Sequence, residues 1–340
     1  MGSAPWWLRD LAGNLVPVGL VLLGIWLFAR ARKEPLWADA FRRLRRSPSA
    51  LAALAVIGLY VGVALLDSVG WRENRNADFR TVLQRIAERP QEYSYSAPLA
   101  RTTTPETDRR PLSGTHLLGT DAVGNDVLFM TLRGARTALI IGGLTLLIMA
   151  PLALVFGLLA GYFGKRVDDG IQYGYTVIDS IPSILLLVSL IMVLGRGLLQ
   201  LCLALGIAGW VGLCRIVRGE TLRLREKEFV RAARAMGVSH TTILFKHILP
   251  NLMHLVVINL TLSFTVIVMT EAILAYLGLG VGTEIGSWGN MIDSARLELA
   301  REPVVWWNLA AASTALFILV LAFNLFTDAL QDALNPRLRS

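Results

Sequence analysis

Long apolar runs separated by short polar or basic intervals make up most of the chain. Six of these runs approach or exceed the ~20 residues that cross a bilayer, and they cover residues 50–66, 138–162, 171–194, 198–214, 252–275 and 306–326. A shorter run at residues 15–29 precedes them and ends in a basic cluster. The pattern predicts an all-α polytopic membrane protein with seven spans.

The basic residues explain the net charge of +8 without a nucleic-acid partner, because they cluster at the ends of the apolar runs. All the lysines fall in segments that the positive-inside rule assigns to the cytoplasm: Lys33, Lys165, Lys227 and Lys246. This distribution predicts an N-terminus outside and a C-terminus in the cytoplasm. The run at residues 15–29 is then an uncleaved span, since a signal peptide would carry its charges before the run; its shortness leaves an interfacial helix open.

One polar interval, residues 226–251, itself has the pattern of two short helices. Four residues fall at helical spacing and make one narrow apolar face: Phe229, Ala232, Ala233 and Met236. Gly237 follows where a helix end often needs a left-handed residue, and Ser239 is placed to cap a second helix. Pro250 suits the first turn of the helix after that. The interval predicts a helix, a sharp turn and a helix outside the membrane, which is the shape of a docking element.

This interval resembles the EAA loop of ABC importer permeases, whose pattern is E-A-A, three residues, Gly, nine residues and Ile-x-Leu-Pro. Arg231 stands where the pattern has Glu, and the ending is one residue tighter, as His-Ile-Leu-Pro. In that family the loop inserts into a groove on a cytoplasmic ATPase. The resemblance implies a coupling loop at residues 219–250 and these coupling residues: Arg231, Ala232, Ala233, Gly237, Ser239, Ile248, Leu249 and Pro250.

Two outer segments resemble further patterns of the same family. Residues 118–126 read LGTDAVGND, similar to L-G-T-D-x-x-G-R-D, and residues 271–290 are similar to F-L-G-L-G followed by S-W-G-N. Asp126 is predicted to cap the helix that follows it, and Trp288 to lie at the membrane interface. The family's binding protein delivers substrate on this side, which implies these residues: Gly119, Asp121, Asp126, Ser287, Trp288 and Asn290. A structural re-entrant loop would use the same residues.

The resemblance implies the transmembrane domain of a type I ABC importer, with a six-helix core and one extra N-terminal helix. The predicted parts are the extra helix at 1–35, the first core helix at 36–66, an extracytoplasmic insertion at 67–117 and the permease core at 118–340. The insertion is expected to be passive, with one short amphipathic helix near Val82. Pro151 is predicted to break the third span, and Gly157 with Gly161 to allow close helix contact.

The resemblance implies a permease of the dipeptide, oligopeptide or nickel type in the bacterial inner membrane, surrounded by lipid. Its implied partners are a second homologous permease, two ABC ATPases and an extracytoplasmic binding protein. No catalytic residue, metal site or cofactor is predicted here, and ATP with Mg²⁺ would belong to the ATPases. The sequence Gly164-Lys165 lacks the upstream glycine and the Ser/Thr of a phosphate loop.

Three alternatives remain at this point. An importer of a non-peptide solute, such as an oligosaccharide, nickel or a metal chelate, would share every motif above. A secondary transporter would carry coupling-ion sites at mid-membrane and usually an internal repeat. A membrane-embedded enzyme would need a cluster of reactive side chains at depth, whereas the histidines fall outside the spans or at an inner end: His116, His240, His247 and His254.

Overall fold

The computed structural model describes residues 14–15, 19, 24, 35–74, 77–104, 109–282 and 285–334. Most of the predicted extra helix at residues 15–29 therefore lies outside the described residues. The helices are α1 (Pro35–Leu44), α2 (Pro48–Ser68), α3 (Val82–Ala87), α4 (Val127–Phe163), α5 (Lys165–Asp179), α6 (Ser183–Leu194), α7 (Leu198–Arg225), α8 (Glu228–Ala235), α9 (His240–Thr242), π1 (Ile243–Ile248), α10 (Leu249–Tyr276), α11 (Trp288–Glu298) and α12 (Trp307–Leu334).

The chain divides into two compact units, one of Met1–Ile140 with Glu271–Ser340 and one of Ile141–Thr270. In the first unit, α12 packs against α1, α2 and α11. The amphipathic helix α1 was not predicted from the sequence. In the second unit, α7 packs against α6 and α8, and α8 packs against π1.

The described residues contain 5 helices long and apolar enough to cross a membrane, or up to 6 if the bent pair α5 and α6 forms one span. The prediction of a polytopic helical chain with a six-helix core is confirmed on that count. Pro151 does not break the third span, however, because α4 is one helix of 37 residues with this proline inside it. Proline is tolerated in membrane helices when neighbouring groups satisfy the freed carbonyl.

The predicted fourth span at residues 171–194 is not one straight helix. α5 ends at Asp179, α6 begins at Ser183, and the two helices meet at 87°. Pro182 stands directly before α6 with extended backbone torsions, φ −52° and ψ 125°. A proline has no N–H to continue the ladder of α5, and it drives the preceding residue away from helical torsions.

The predicted close contact at Gly157 and Gly161 is confirmed. A Cβ atom at Gly157 would lie 2.8 Å from Cβ of Val217, and one at Gly161 would lie 2.5 Å from Cβ of Thr221. Both partners lie on α7, so the two glycines let α4 approach α7 backbone to backbone.

The insertion at residues 67–117 has more internal structure than the sequence predicted. β1 (Gly70–Trp71) pairs antiparallel with β2 (Arg80–Thr81). The predicted helix near Val82 is α3, whose first turn is closed by a capping box between Thr81 and Gln84. Beyond it, Glu92 and His116 are buried and bonded to each other, so the segment is a folded part of the first unit.

Candidate functional site

The predicted turn of the coupling loop is a left-handed glycine that closes α8. Gly237 has φ +76°. Its N–H donates to the carbonyl of Arg234, and the N–H of Val238 donates to the carbonyl of Ala233, both at 3.1 Å. This pair of bonds is the Schellman motif, which satisfies the last carbonyls of a helix and fixes the direction of the chain that leaves it.

The apolar residues of α8 divide between two faces, which corrects the single face predicted from the sequence. Val230 and Ala233 are buried, at 0% and 3% exposure, and they belong to the core that also holds Ile243 and Ile248. A second set of residues points away from that core and is called the coupling face below: Phe229, Ala232 and Met236. Ala233 therefore packs inward, because residues 230 and 233 share the side of the helix that π1 covers.

Arg231, in the position of the pattern's glutamate, forms an ion pair beside the coupling face. Its Nη2 donates to Oε2 of Glu226 at 2.8 Å, and both side chains are exposed. The hydrogen bonds from Arg231 and then Arg225 lower the pKa of Glu226. The loop thus keeps an acid–base pair at this corner, with the base on α8 and the acid at the end of α7.

The second arm of the loop begins as predicted and continues differently. Ser239 accepts a hydrogen bond from the N–H of Thr242 at 3.3 Å and so caps α9. α9 then runs through π1 into α10 as one helical stretch. The prediction of a separate helix beginning at Pro250 is therefore wrong. The N–H of Leu249 donates to the carbonyl of Leu244, five residues back, and this wider turn lies just before the proline that lacks an N–H.

Two bonds fix the loop to the end of α4 within the second unit. The Tyr162 hydroxyl lies 2.8 Å from Nδ1 of His240. Arg225 Nη1 donates to the carbonyl of Gly161 at 3.0 Å. Ile248 is fully buried, so of the predicted coupling residues it supports the loop from inside rather than presenting a surface.

The LGTDAVGND segment folds around Asp121. Oδ1 of Asp121 accepts from the N–H of Val123 at 2.9 Å and of Asn125 at 2.8 Å, while Oδ2 accepts from the Asn125 amide at 3.0 Å. The predicted cap is confirmed, because Oδ1 of Asp126 accepts from the N–H of Phe129 at 2.8 Å. Gly119, at φ +76°, leaves no room for a side chain, since a Cβ would overlap the Ser96 carbonyl oxygen.

Trp288 lies inside the first unit, packed against protein. It is 2% exposed, its Nε1 donates to the Thr131 carbonyl at 2.8 Å, and its ring meets Tyr60 edge-on at 5.8 Å. A buried indole needs a partner for its N–H, and the Thr131 carbonyl supplies one. The position follows from Gly134, where a side chain would overlap the indole.

Ser287 and Asn290 organise the loop between α10 and α11 through their side chains. Ser287 Oγ donates to Oε1 of the buried Glu271 at 2.6 Å and accepts from the N–H of Gly289 at 3.1 Å. The Asn290 amide donates to the carbonyls of Val281, Gly282 and Ile285 at 3.2–3.3 Å.

The structure brings three of the predicted outer residues to one cavity of about 270 Å³: Asp121, Ser287 and Asn290. Gly119, Asp126 and Trp288 do not line it. Sequence reasoning missed Glu298, which lines the cavity although only 2% of it is exposed. A lone glutamate in a short polar helix gives no local signal of burial. The described residues hold no group of three or more His, Cys, Asp and Glu side chains that could hold a metal ion.

A family model described as "Binding-protein-dependent transport system inner membrane component" matches residues 153–340. The chain belongs to this family. A second model, "N-terminal TM domain of oligopeptide transport permease C", matches residues 35–74, which cover α1 and α2. The chain is therefore an ABC transporter permease, a multi-pass membrane component and not the ATPase.

Curated relatives match over two thirds or more of this chain and of their own length. The oligopeptide transport system permease OppC of Bacillus subtilis is 33% identical over 89% of this chain and 90% of its own length. The dipeptide permease DppC of the same organism is 35% identical over 88% of this chain and 86% of its own. The glutathione permease GsiD of Pectobacterium atrosepticum is 36% identical over 67% and 75%.

Proposed function

We propose that this permease forms half of the translocation path of an ATP-driven peptide importer in a bacterial cytoplasmic membrane. The names of its relatives support the solute class, since they are permeases for oligopeptides, dipeptides and glutathione, and glutathione is a tripeptide. The second half of the path would come from a homologous permease, and an extracytoplasmic binding protein would deliver the peptide.

The coupling face is the observation that carries this proposal. Phe229 is 43% exposed and Met236 is 76% exposed, on a short helix whose other side is packed into the core. An exposed methionine is suited to binding a partner's groove, because its flexible thioether adapts to the surface it meets. We assign this face to one of two ABC ATPases, which would hold the ATP and Mg²⁺.

The anchoring of the loop supports a mechanical role for it. The glycine turn fixes the angle after α8, and the bond between Tyr162 and His240 holds α9 to the end of α4. A force applied to the coupling face would pass to α4 and α10 without first bending the loop. In the proposed cycle, ATP closes the ATPase pair, the loop follows, the path opens outward to receive peptide, and hydrolysis resets it.

Two observations support the proposed orientation of the chain in the membrane, one near each terminus. Asn14 exchanges two hydrogen bonds with Gly70, as its Nδ2 donates to the carbonyl at 2.7 Å and its Oδ1 accepts from the N–H at 3.0 Å. Gly70 begins the insertion that the charge pattern places outside, so residue 14 would also lie outside. Arg337 and Arg339 favour a cytoplasmic C-terminus.

The assembly is tested by purifying the tagged chain after co-expression with its second permease and ATPases. Met236→Glu places a charge on the coupling face, and we expect it to reduce ATPase recovery at least about tenfold. Ile86→Glu is the matched control, because Ile86 is 69% exposed and lies in the insertion. Equal ATPase recovery with both variants would contradict the docking assignment.

The solute is tested with the complete importer and its binding protein in proteoliposomes. We expect ATP-dependent uptake of a labelled dipeptide that unlabelled peptides inhibit. Maltooligosaccharides and a nickel chelate serve as competitors of other classes. Inhibition by one of these, with no inhibition by peptides, would replace the peptide assignment with the non-peptide alternative.

A further inference from the structure

The cavity beside the LGTDAVGND segment is acidic. Three carboxylates line it, those of Asp121, Asp293 and Glu298, and no lysine or arginine lines it among the described residues. It opens at the surface beside exposed residues of the same wall: Ala122, Val123 and Ser294. A small ligand could therefore enter it from solvent.

Two of the carboxylates have a buried oxygen without a hydrogen bond. Oε2 of Glu298 accepts from the Asn308 amide at 3.0 Å and the backbone of Ala122 also bonds to this carboxylate, whereas Oε1 has no well-aligned hydrogen-bond partner. Oδ1 of Asp293 is also without a hydrogen bond, although Nη2 of Arg296 lies 3.7 Å away. Asp293 is partly exposed and paired with Arg296, but Glu298 is buried, and buried polar atoms normally have partners, so its Oε1 points to an occupant that donates to it.

The protein balances the negative charge of Glu298 only in part. Burial raises the pKa of Glu298, against the hydrogen bond from Asn308, and the negative charge of Asp121 adds to the rise. Arg301 and the backbone of Ala122 act in the opposite direction without reversing it. A positive group inside the cavity would stabilise the ionised carboxylate.

The geometry favours an organic cation over a metal ion. Ca²⁺ takes six to eight oxygens at about 2.3–2.6 Å, and the described residues form no such cluster. An ammonium group donates three hydrogen bonds, and these can go to separate acceptors. The volume of about 270 Å³ is below the ~300–1,000 Å³ of sites for whole drug-sized ligands, so it would hold one end of a ligand or one side chain.

We propose that this cavity binds an alkylammonium group, with Glu298 and Asp293 as the carboxylates that accept its hydrogen bonds. Two sources carry this group: the free amino terminus of a peptide and a lysine of the binding protein. The peptide source rests on the proposed function. Amine binding by the chain itself does not rest on the proposed function. Experiments can therefore reject the cavity proposal and the importer proposal independently.

The test uses 4,4,4-trifluorobutylamine, which is protonated at pH 7, as a ¹⁹F NMR probe of the full chain in lipid nanodiscs. We expect its resonance to broaden with added protein. The neutral analogue 4,4,4-trifluorobutanol should broaden much less. Equal broadening of the alcohol would show an apolar cavity and overturn the proposal, as would no broadening of the amine at tens of millimolar or its displacement by equimolar Ca²⁺.

Glu298→Gln is expected to weaken amine binding about tenfold or more, because it removes a charge-assisted hydrogen bond. Glu302→Gln is the matched control: it makes the same charge change at an exposed position outside the cavity. Unchanged binding in a folded Glu298→Gln chain would overturn the proposal. If that variant does not fold, Asp293→Asn at the partly exposed rim decides in the same way.

Competition separates the two sources. A dipeptide with a free amino terminus should displace the probe, and its N-acetylated form should not, if the peptide is the source. If a lysine of the binding protein is the source, butylammonium should weaken docking of that protein while dipeptides leave the probe bound. Displacement by neither partner would overturn a role for the cavity in the importer.

Discussion

Nδ1 of His116 lies 2.8 Å from Oδ2 of Asp126, the residue that caps α4. Nε2 of the same ring lies 3.2 Å from Oε1 of Glu92, and the histidine is fully buried. One side chain thus ties the insertion to the first turn of a membrane helix. The insertion is held to the permease by these bonds and by its packing.

Replacing Glu92 should loosen the insertion. Glu92 accepts from the N–H of Ser113 at 2.7 Å and of Gly114 at 3.2 Å in addition to His116. These three contacts all go to Oε1, so in Glu92→Gln the amide oxygen can keep them but without the negative charge that strengthens them, and we expect a loss of about 1–2 kcal/mol of stability. Thermal unfolding in detergent and proteolysis of residues 92–126 measure it. Glu88→Gln, four residues earlier and exposed, should behave as wild type.

The same carboxylate predicts an acid dependence. Burial acts to raise the pKa of Glu92, but the hydrogen bonds from His116, Ser113 and Gly114 lower it overall from 4.5. A depressed folded pKa means that the unfolded chain binds more protons in this window, so the contribution is full above about pH 4.5 and is lost as the pH falls through the folded value.

Hydrogen exchange of residues 92–126 tests this, with rates corrected for intrinsic pH dependence. Protection should decrease below about pH 4.5 in wild type. The decrease should be smaller in Glu92→Gln. The same decrease in both proteins would assign the acid dependence to another group.

The turn of the coupling loop depends on glycine at position 237. A side chain there would be forced into left-handed torsions, which cost roughly 1–2 kcal/mol. We therefore expect Gly237→Ala to lower the temperature of unfolding and to reduce transport per ATP hydrolysed, with Gly237→Asn less affected because asparagine tolerates these torsions. Gly219→Ala, in the helix α7 with open space around it, should not lower the unfolding temperature. Full transport by Gly237→Ala would mean that the turn angle does not matter for coupling.

The contact between α4 and α7 is sensitive to a single methyl group. A Cβ at Gly161 would lie 2.7 Å from the Arg218 carbonyl oxygen, so the backbones must separate in Gly161→Ala, at a cost of about 1–3 kcal/mol. Gly143→Ala lies on the same helix and meets nothing within 4 Å. Thermal inactivation should therefore distinguish the two variants. Equal midpoint temperatures would show that α4 and α7 can separate at this contact without a measurable cost in stability.

The sequence predicted local structure wherever a single residue determines the backbone conformation around it. The caps by Asp126 and Ser239, the left-handed Gly237 and the small contact at Gly161 each depend on neighbours a few residues away or on one missing side chain. The type of element and the approximate ends of most spans followed from apolar length alone.

What the sequence did not predict depends on partners far along the chain. His116 meets Glu92 from 24 residues away, and Trp288 meets Thr131 from 157 residues away. Ala233 looked like part of a docking face because its apolar spacing does not say which side π1 covers. Pro151 and Pro182 carry the same local signal, yet α4 continues through the first and the chain turns by 87° at the second.

The exposed methionine and phenylalanine of the coupling face have a consequence for how the cell must make this protein. If the coupling face binds an ATPase as proposed, a permease made in excess of that partner would leave these apolar side chains exposed in the cytoplasm, where chaperones and proteases recognise them. Balanced synthesis of the two subunits would therefore set how much of the permease survives, and a shortage of the ATPase would lower permease abundance with no change in its own gene.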